Sequence, residues 1–321
     1  MSPVLLEFSR DAMACRFEVL LHPGDPECGP EAAIRALDSI SYLEQILSVY
    51  LHSSELSLVN ARAASEPIRV SESCFELLQL GLAVFHRTAG AFDMTAAKLS
   101  KSWGFYRRQG KMPTNEEIQQ SLQCVGSQFI ELNVQDRTVV FKKPIEVNPG
   151  GIGKGFAIDC AATTLTNSGV RNFALHGGKS SLLCAGDQRA PDCSVGWRIA
   201  VRHPEQSERI LGSLILRDQA LGTSGPANQF FYFRGKRFGH IIDPRTGWPS
   251  EGMLSVTVLH PSAGWADALA TGLYVMGIEK SIEYCEANPE VGMLAILPGD
   301  RDGRCEIVTC NIPDGQWLSA K

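Results

Sequence analysis

The sequence predicts an α+β fold: a mostly antiparallel sheet with helices packed against it. Three observations carry that prediction. Ile34, Leu37, Ile40, Leu43 and Leu47 recur at three- and four-residue intervals, the spacing of an amphipathic helix. WRIAVRHP, RILGSLILR, ALGTSG and FFYFRGK follow one another as apolar, β-branched or aromatic segments separated by turn residues, as antiparallel strands do. Helical and strand patterns are mixed without the strand–helix–strand alternation of a parallel sheet.

In order along the chain, a strand is predicted from Arg16 to Leu21, ending at the turn-rich HPGDPECGP. The first helix runs to Tyr50 and stops in the polar segment YLHSSELSLVN. Ser73-x-x-Glu76 reads as a capping box opening a helix with Phe75, Leu78, Leu82 and Phe85 on one face and Gly90 past its end. Thr114-x-x-Glu117 is a second capping box, and AGAFDMT, between these helices, is a loop. FIELN and TVVFK form a hairpin around Gln135-Asp136. IEVNPGGIGKGFAIDCAATTLTNSG reads as a strand, a glycine-rich turn and a helix closing at Gly169, and FALHGGKSSLLCAG as two strands joined at Gly177-Gly178. His240-Ile241-Ile242 is a short apolar strand leading into the tight turn Asp243-Pro244-Arg245-Thr246-Gly247. An alternating strand around Leu254–Leu259 precedes a helix starting near Gly264 or Trp265.

Composition narrows the function classes. The chain has 321 residues, 44% hydrophobic and 20% charged, with net charge −5. Its pI of about 5.8 and lack of a basic run give no footprint for nucleic acid. No unbroken apolar stretch is long enough to span a bilayer, and the first residues do not form a secretory leader, so no membrane segment is expected and the expected location is cytoplasmic. Ten cysteines, at 15, 28, 74, 124, 160, 184, 193, 285, 305 and 310, contain no C-x-x-C pair, which argues for reduced thiols and against zinc. With no linker or repeat, residues 1–321 read as one domain, even if it is built of two intertwined subdomains.

Three motifs point to chemistry. Asp267 and Thr271 stand four residues apart on a helix, so a carboxylate and a hydroxyl leave the same face, a pairing suited to a hard cation such as Mg²⁺. The same pair also fits a helix-start acid beside an inward-packed threonine. Asn148-Pro149-Gly150-Gly151-Ile152-Gly153-Lys154-Gly155 can turn backbone N–H groups towards an anion at a helix N-terminus, or simply join a strand to a helix tightly. It departs from the Walker A loop, because Gly155 follows Lys154, and from G-x-G-x-x-G, because Phe156 holds the last position. His240 can donate to a phosphate oxygen or take a proton near neutral pH, or serve as a satisfied structural group.

In this order, SSELSLVN, AFDMT with WGF, NPGGIGKGFAID, HGG, TSG, HIIDPRTG, SVTV and ADALATG resemble the ApbE family of FAD:protein FMN transferases, from about Met13 to Gly277. The resemblance implies an ApbE-like α+β fold. It implies FAD as substrate, Mg²⁺ at the pyrophosphate, and transfer of FMN to a Thr or Ser of a flavin-accepting protein with release of AMP. Asp267, Thr271 and the carbonyls of Ala270 and Gly151 would hold the metal. Met13, Tyr50, Ala91, Phe92, Asp93, Asn148, Lys154 and Ile242 would lie near FAD, with His240 and Lys154 at the reacting phosphates. Four features depart from the family pattern: Asn148 where Asp is usual, Lys179 after the paired glycines, Ala14-Cys15 for Gly-Thr, and Pro226-Ala227-Asn228 after TSG. Two alternatives stay open: an FAD pyrophosphatase that uses water as acceptor, as the resemblance implies for some members, and, motivated by Asn148 and Lys179, a flavin-binding protein without chemistry.

Overall fold

A computed structural model describes residues 5–23, 26–107, 109–189, 195–226, 229–299 and 303–320. Cys193, Ala227 and Asn228 lie outside them. The chain opens with a hairpin, β1 (Leu6–Ala12) and β2 (Cys15–Leu21), and continues into α1 (Gly29–Leu47). Next come α2 (Glu55–Arg62), β3 (Ile68–Arg69), α3 (Glu72–Arg87), α4 (Ala97–Ser102) and α5 (Asn115–Leu122). The hairpin β4 (Ile130–Asn133) and β5 (Thr138–Phe141) precedes α6 (Gly153–Asn167). Five strands follow: β6 (Phe173–Gly177), β7 (Ser181–Ala185), β8 (Trp197–Arg202), β9 (Ile210–Leu216) and β10 (Gln219–Ser224). After the hairpin β11 (Phe230–Phe233) and β12 (Lys236–Gly239) come β13 (Ser255–His260), α7 (Ala263–Met276) and α8 (Ile278–Ala287). The chain closes with β14 (Gly292–Pro298), β15 (Cys305–Cys310) and β16 (Trp317–Ser319).

Eight strands form one sheet in the order β1-β2-β6-β7-β10-β13-β14-β15, every neighbouring pair antiparallel. Alternation along the strands assigns their two faces. Leu175, Val258 and Met293 point into a core shared with α1, α3, α6 and α7, whereas Ala174, Leu259 and Leu294 face Trp197 and Leu214 of the smaller sheet β16-β9-β8. Both faces are thus covered, by helices on one side and strands on the other. A third cluster, with Leu99, Trp103, Ile118, Phe238 and Ile242, joins α4 and α5 to the β11–β12 hairpin.

Several local expectations shift. Ser71, rather than Ser73, caps α3, accepting a hydrogen bond from the Cys74 N–H; Ser73 lies inside the helix. The segment read as polar chain after α1 contains α2, because the Ser54 hydroxyl accepts from the Ser57 N–H and starts a new helix. Residues 145–148 form no strand; the Asn60 side chain instead bonds both backbone groups of Val147. The strand placed at His240–Ile242 does not form: β12 ends at Gly239, just before His240, and Ile242 makes only an isolated bridge to Pro249. The Thr114–Glu117 capping box, the β4–β5 hairpin and the Gly177-Gly178 junction form as expected.

Candidate active site

The site lies where α6 and α7 meet the ends of β7 and β10. α7 is apolar on nearly every face and sits between the sheet and α3 and α6. Two glycines permit this depth. A Cβ on Gly222 of β10 would come within 2.5 Å of the Ala266 carbonyl, and one on Gly155 of α6 within 2.1 Å of the Ala263 carbonyl. No side chain fits at either point, so α7 rests directly on two backbones.

That contact buries Asp267 to 5% exposure but leaves it well supplied with donors. Ser181 Oγ donates to Asp267 Oδ1 at 2.6 Å, and the Gly155 N–H donates to Oδ2 at 3.0 Å. Lys154 Nζ stands 3.5 Å from the same Oδ2. One turn along, Thr271 Oγ1 shares a hydrogen bond with Ser224 Oγ at 3.0 Å. The glycine-rich turn faces them: a Cβ on Gly151 would lie 3.5 Å from Thr271 Oγ1. Asn148 shapes this turn, its Oδ1 accepting the Gly150 N–H at 2.8 Å. Asn therefore retains the acceptor that Asp would supply there and lacks the charge.

His240 follows β12, and its Nδ1 lies 3.1 Å from the Gln229 carbonyl. A carbonyl only accepts, so Nδ1 carries the proton and Nε2 keeps its lone pair. Burial pushes the His240 pKa below its ordinary value, with the Gln229 bond opposing the shift, so the ring is neutral at pH 7. The Asp243–Gly247 turn is braced by Arg245 on the Asp243 carboxylate and by Trp103 Nε1 donating to the Gly247 carbonyl at 2.9 Å.

A cleft of about 660 Å³ connects these groups. Tyr50, Ala91, Phe92, Asp93, Asn148, Gly151, Lys154, His240, Ile242, Asp267 and Thr271 all line it. Met13 and Ala270 do not: Met13 sits in the β1–β2 turn with its N–H on Glu44, and Ala270 is wholly buried in α7. The Asp93 carboxylate is engaged by the backbone and hydroxyls of Thr95 and Ser127, which makes it a brace for its loop. Lys179 is exposed in the β6–β7 turn and is not among the lining residues. Sequence reasoning missed Ser181, Ser224 and Tyr106. The first two stand in or beside quoted motifs, but their hydroxyls acquire meaning only through their bonds to Asp267 and Thr271. Tyr106 follows WGF and lies against Tyr50 at the cleft, ring centroids 5.7 Å apart.

The donor set can be tested against an ion. Among the described residues, no three His, Cys, Asp or Glu side chains gather into a metal cluster. One carboxylate and the hydroxyls beside it instead suit a hard cation that keeps waters and shares phosphate oxygens, as Mg²⁺ does. The residues fit such an ion.

Fold and site together define an α+β protein with a glycine-rich turn, a lysine and a buried carboxylate gathered on one cleft. The chain belongs to the ApbE family, whose sequence profile matches residues 13–295. It is 34% identical over 260 residues to the FAD:protein FMN transferase of Vibrio cholerae, covering 79% of this chain and 75% of that protein. The Escherichia coli K12 protein of the same name is 30% identical over 248 residues, covering 75% and 69%. Among solved structures, the ApbE protein of Thermotoga maritima superposes with a TM-score of 0.82 at 26% identity, covering 94% of this chain and 96% of that one. The flavin transferase ApbE of Vibrio cholerae gives 0.79 at 29%, covering 97% and 98%. Among the described residues, no helix is long and apolar enough to cross a membrane.

Proposed function

We propose that this chain transfers the FMN half of FAD to a Thr or Ser hydroxyl of an acceptor protein, releasing AMP. One observation carries the reading beyond the family relationship. The glycine turn, Lys154, Asp267 and Thr271 converge on one cleft, with Gly151 against Thr271 and Lys154 3.5 Å from Asp267. The pyrophosphate would lie there, against the turn and the N-terminus of α6.

Asp267, Thr271 and the carbonyls of Gly151 and Ala270 are the candidate holders of Mg²⁺, which when bound neutralises charge growing on the phosphate oxygens. Lys154 adds a fixed positive charge beside the same oxygens. Tyr50, Phe92 and Ile242 offer apolar and aromatic walls to the flavin. His240, neutral and holding its Nε2 lone pair, takes the proton of the acceptor hydroxyl. That oxygen then bonds to the FMN phosphorus, and the bond to the bridging oxygen breaks, so that AMP leaves with the electron pair. In-line placement of hydroxyl and bridging oxygen is what the cleft must enforce.

The test incubates the protein with FAD, Mg²⁺ and a Thr-bearing acceptor protein from a related system, reading AMP by chromatography and the acceptor by mass. Equal amounts of AMP and flavinylated acceptor are expected. AMP formed at the same rate without acceptor would replace transfer with hydrolysis, and bound flavin without AMP would leave binding alone.

A further inference from the structure

Asp159 lies one helical turn after Gly155 on α6, outside the cleft, and its carboxylate reaches the start of α7. Oδ1 accepts the Ala263 N–H at 2.7 Å. Oδ2 accepts the Ser262 hydroxyl at 2.6 Å and the Gly264 N–H at 2.9 Å. Ser262 Oγ, capping its own helix, accepts the Trp265 N–H at 3.3 Å. Asp159 therefore satisfies the first free N–H groups of a helix that is not its own, and its negative charge sits at that helix's positive end. A second tie between the same helices, from Gly155 N–H to Asp267, lies within the site. The helix carrying Asp267 and Thr271 is thus fixed to the helix carrying the glycine turn at two points one turn apart.

We propose that Asp159 is a positioning residue for the ion site: its carboxylate fixes α7 against α6 and so sets how Asp267 and Thr271 face Gly151. This rests on the metal reading given under Proposed function. Outer partners that orient ligands typically change metal affinity by about 10- to 100-fold when lost. Removing one acceptor from Asp159 releases part of the α7 N-terminus, so Asp267 keeps its chemistry and loses its place.

The experiment measures Mg²⁺-dependent binding of ADP by calorimetry in the full chain, in Asp159→Asn and in Ser262→Ala. Thermal denaturation and the rate at saturating Mg²⁺ are recorded beside it. Leu165→Ala serves as a control, because it opens a void in the α6 core at the far end from the turn. The expected result is a rise of roughly tenfold in the Mg²⁺ concentration needed by Asp159→Asn. A smaller rise is expected in Ser262→Ala, and none in Leu165→Ala even where its melting temperature falls as far. The rate at saturating Mg²⁺ should stay within about twofold in all three. Unchanged Mg²⁺ affinity in both Asp159→Asn and Ser262→Ala, or an equal loss in Leu165→Ala, would overturn the inference. Binding of ADP by the unsubstituted chain that ignores Mg²⁺ would instead remove the metal reading itself.

Discussion

Gly155 and Asp267 meet across the seam between α6 and α7: the Gly155 N–H donates to Asp267 Oδ2 at 3.0 Å, and a Cβ on Gly155 would lie 2.9 Å from Asp267 Cβ. Backbone and side chain are engaged at one point, so a single methyl group tests both. Gly155→Ala should force the helices apart and cost about 1–3 kcal/mol, the usual range for overpacking. Urea denaturation measures that loss, and ADP binding in the same variant should demand more Mg²⁺. Unchanged stability would mean that the seam has room to give.

Removing the carboxylate is the sharper change. Asp267→Ala leaves Lys154, Ser181 and the Gly155 N–H without their acceptor and removes the carboxylate one turn from Thr271. AMP release should fall roughly 100-fold or more, as expected when an ion and its phosphate lose their anchoring ligand. A quenched-flow or chromatographic AMP assay reads this directly.

The pH dependence follows from His240. Burial lowers its pKa below 6.5, and the working form of a base is neutral, so turnover should fall as pH drops below that ordinary value and stay level from 7 to 8. The stability contribution has the same sign. The unfolded chain takes up a proton near pH 6.5 while the folded one resists it, so stability is full above 6.5 and declines as pH falls through and below it. His240→Gln should remove the acidic limb of the rate profile together with most of the rate. A limb that survives would assign it to another group.

At the β1–β2 turn, Met13 and Ala14 both adopt left-handed backbone angles, with φ of 50° and 58°. Ala14 carries a Cβ at this positive φ, where an L-residue is strained. Ala14→Gly should therefore stabilise the protein by roughly 0.5–1 kcal/mol, seen as a higher denaturation midpoint. A lower midpoint would mean that the added freedom of the unfolded chain outweighs the strain relieved.

Much of this was legible in the letters, for identifiable reasons. Capping by Thr114 and the Gln135-Asp136 hairpin are local, and local chemistry decides them. Motif order points to Lys154, Asp267 and Thr271, and folding brings them to one cleft. The failures arise where distant parts decide. Ile145–Asn148 looks like a strand, yet its neighbour is the Asn60 side chain. His240 looks like the start of a strand, but β12 ends at Gly239 and the ring turns to the Gln229 carbonyl. Ser181 and Asp159 were invisible as site residues because nothing in their own segments announces the carboxylate or helix end they meet.

The central claim is that the glycine turn and α7 share one divalent ion at the phosphates of a dinucleotide. Its most direct test is calorimetric titration of ADP into the protein with and without Mg²⁺, repeated for Asp267→Asn. Binding should require Mg²⁺ in the unsubstituted chain and be lost in the variant. Equal binding in all four titrations would contradict it.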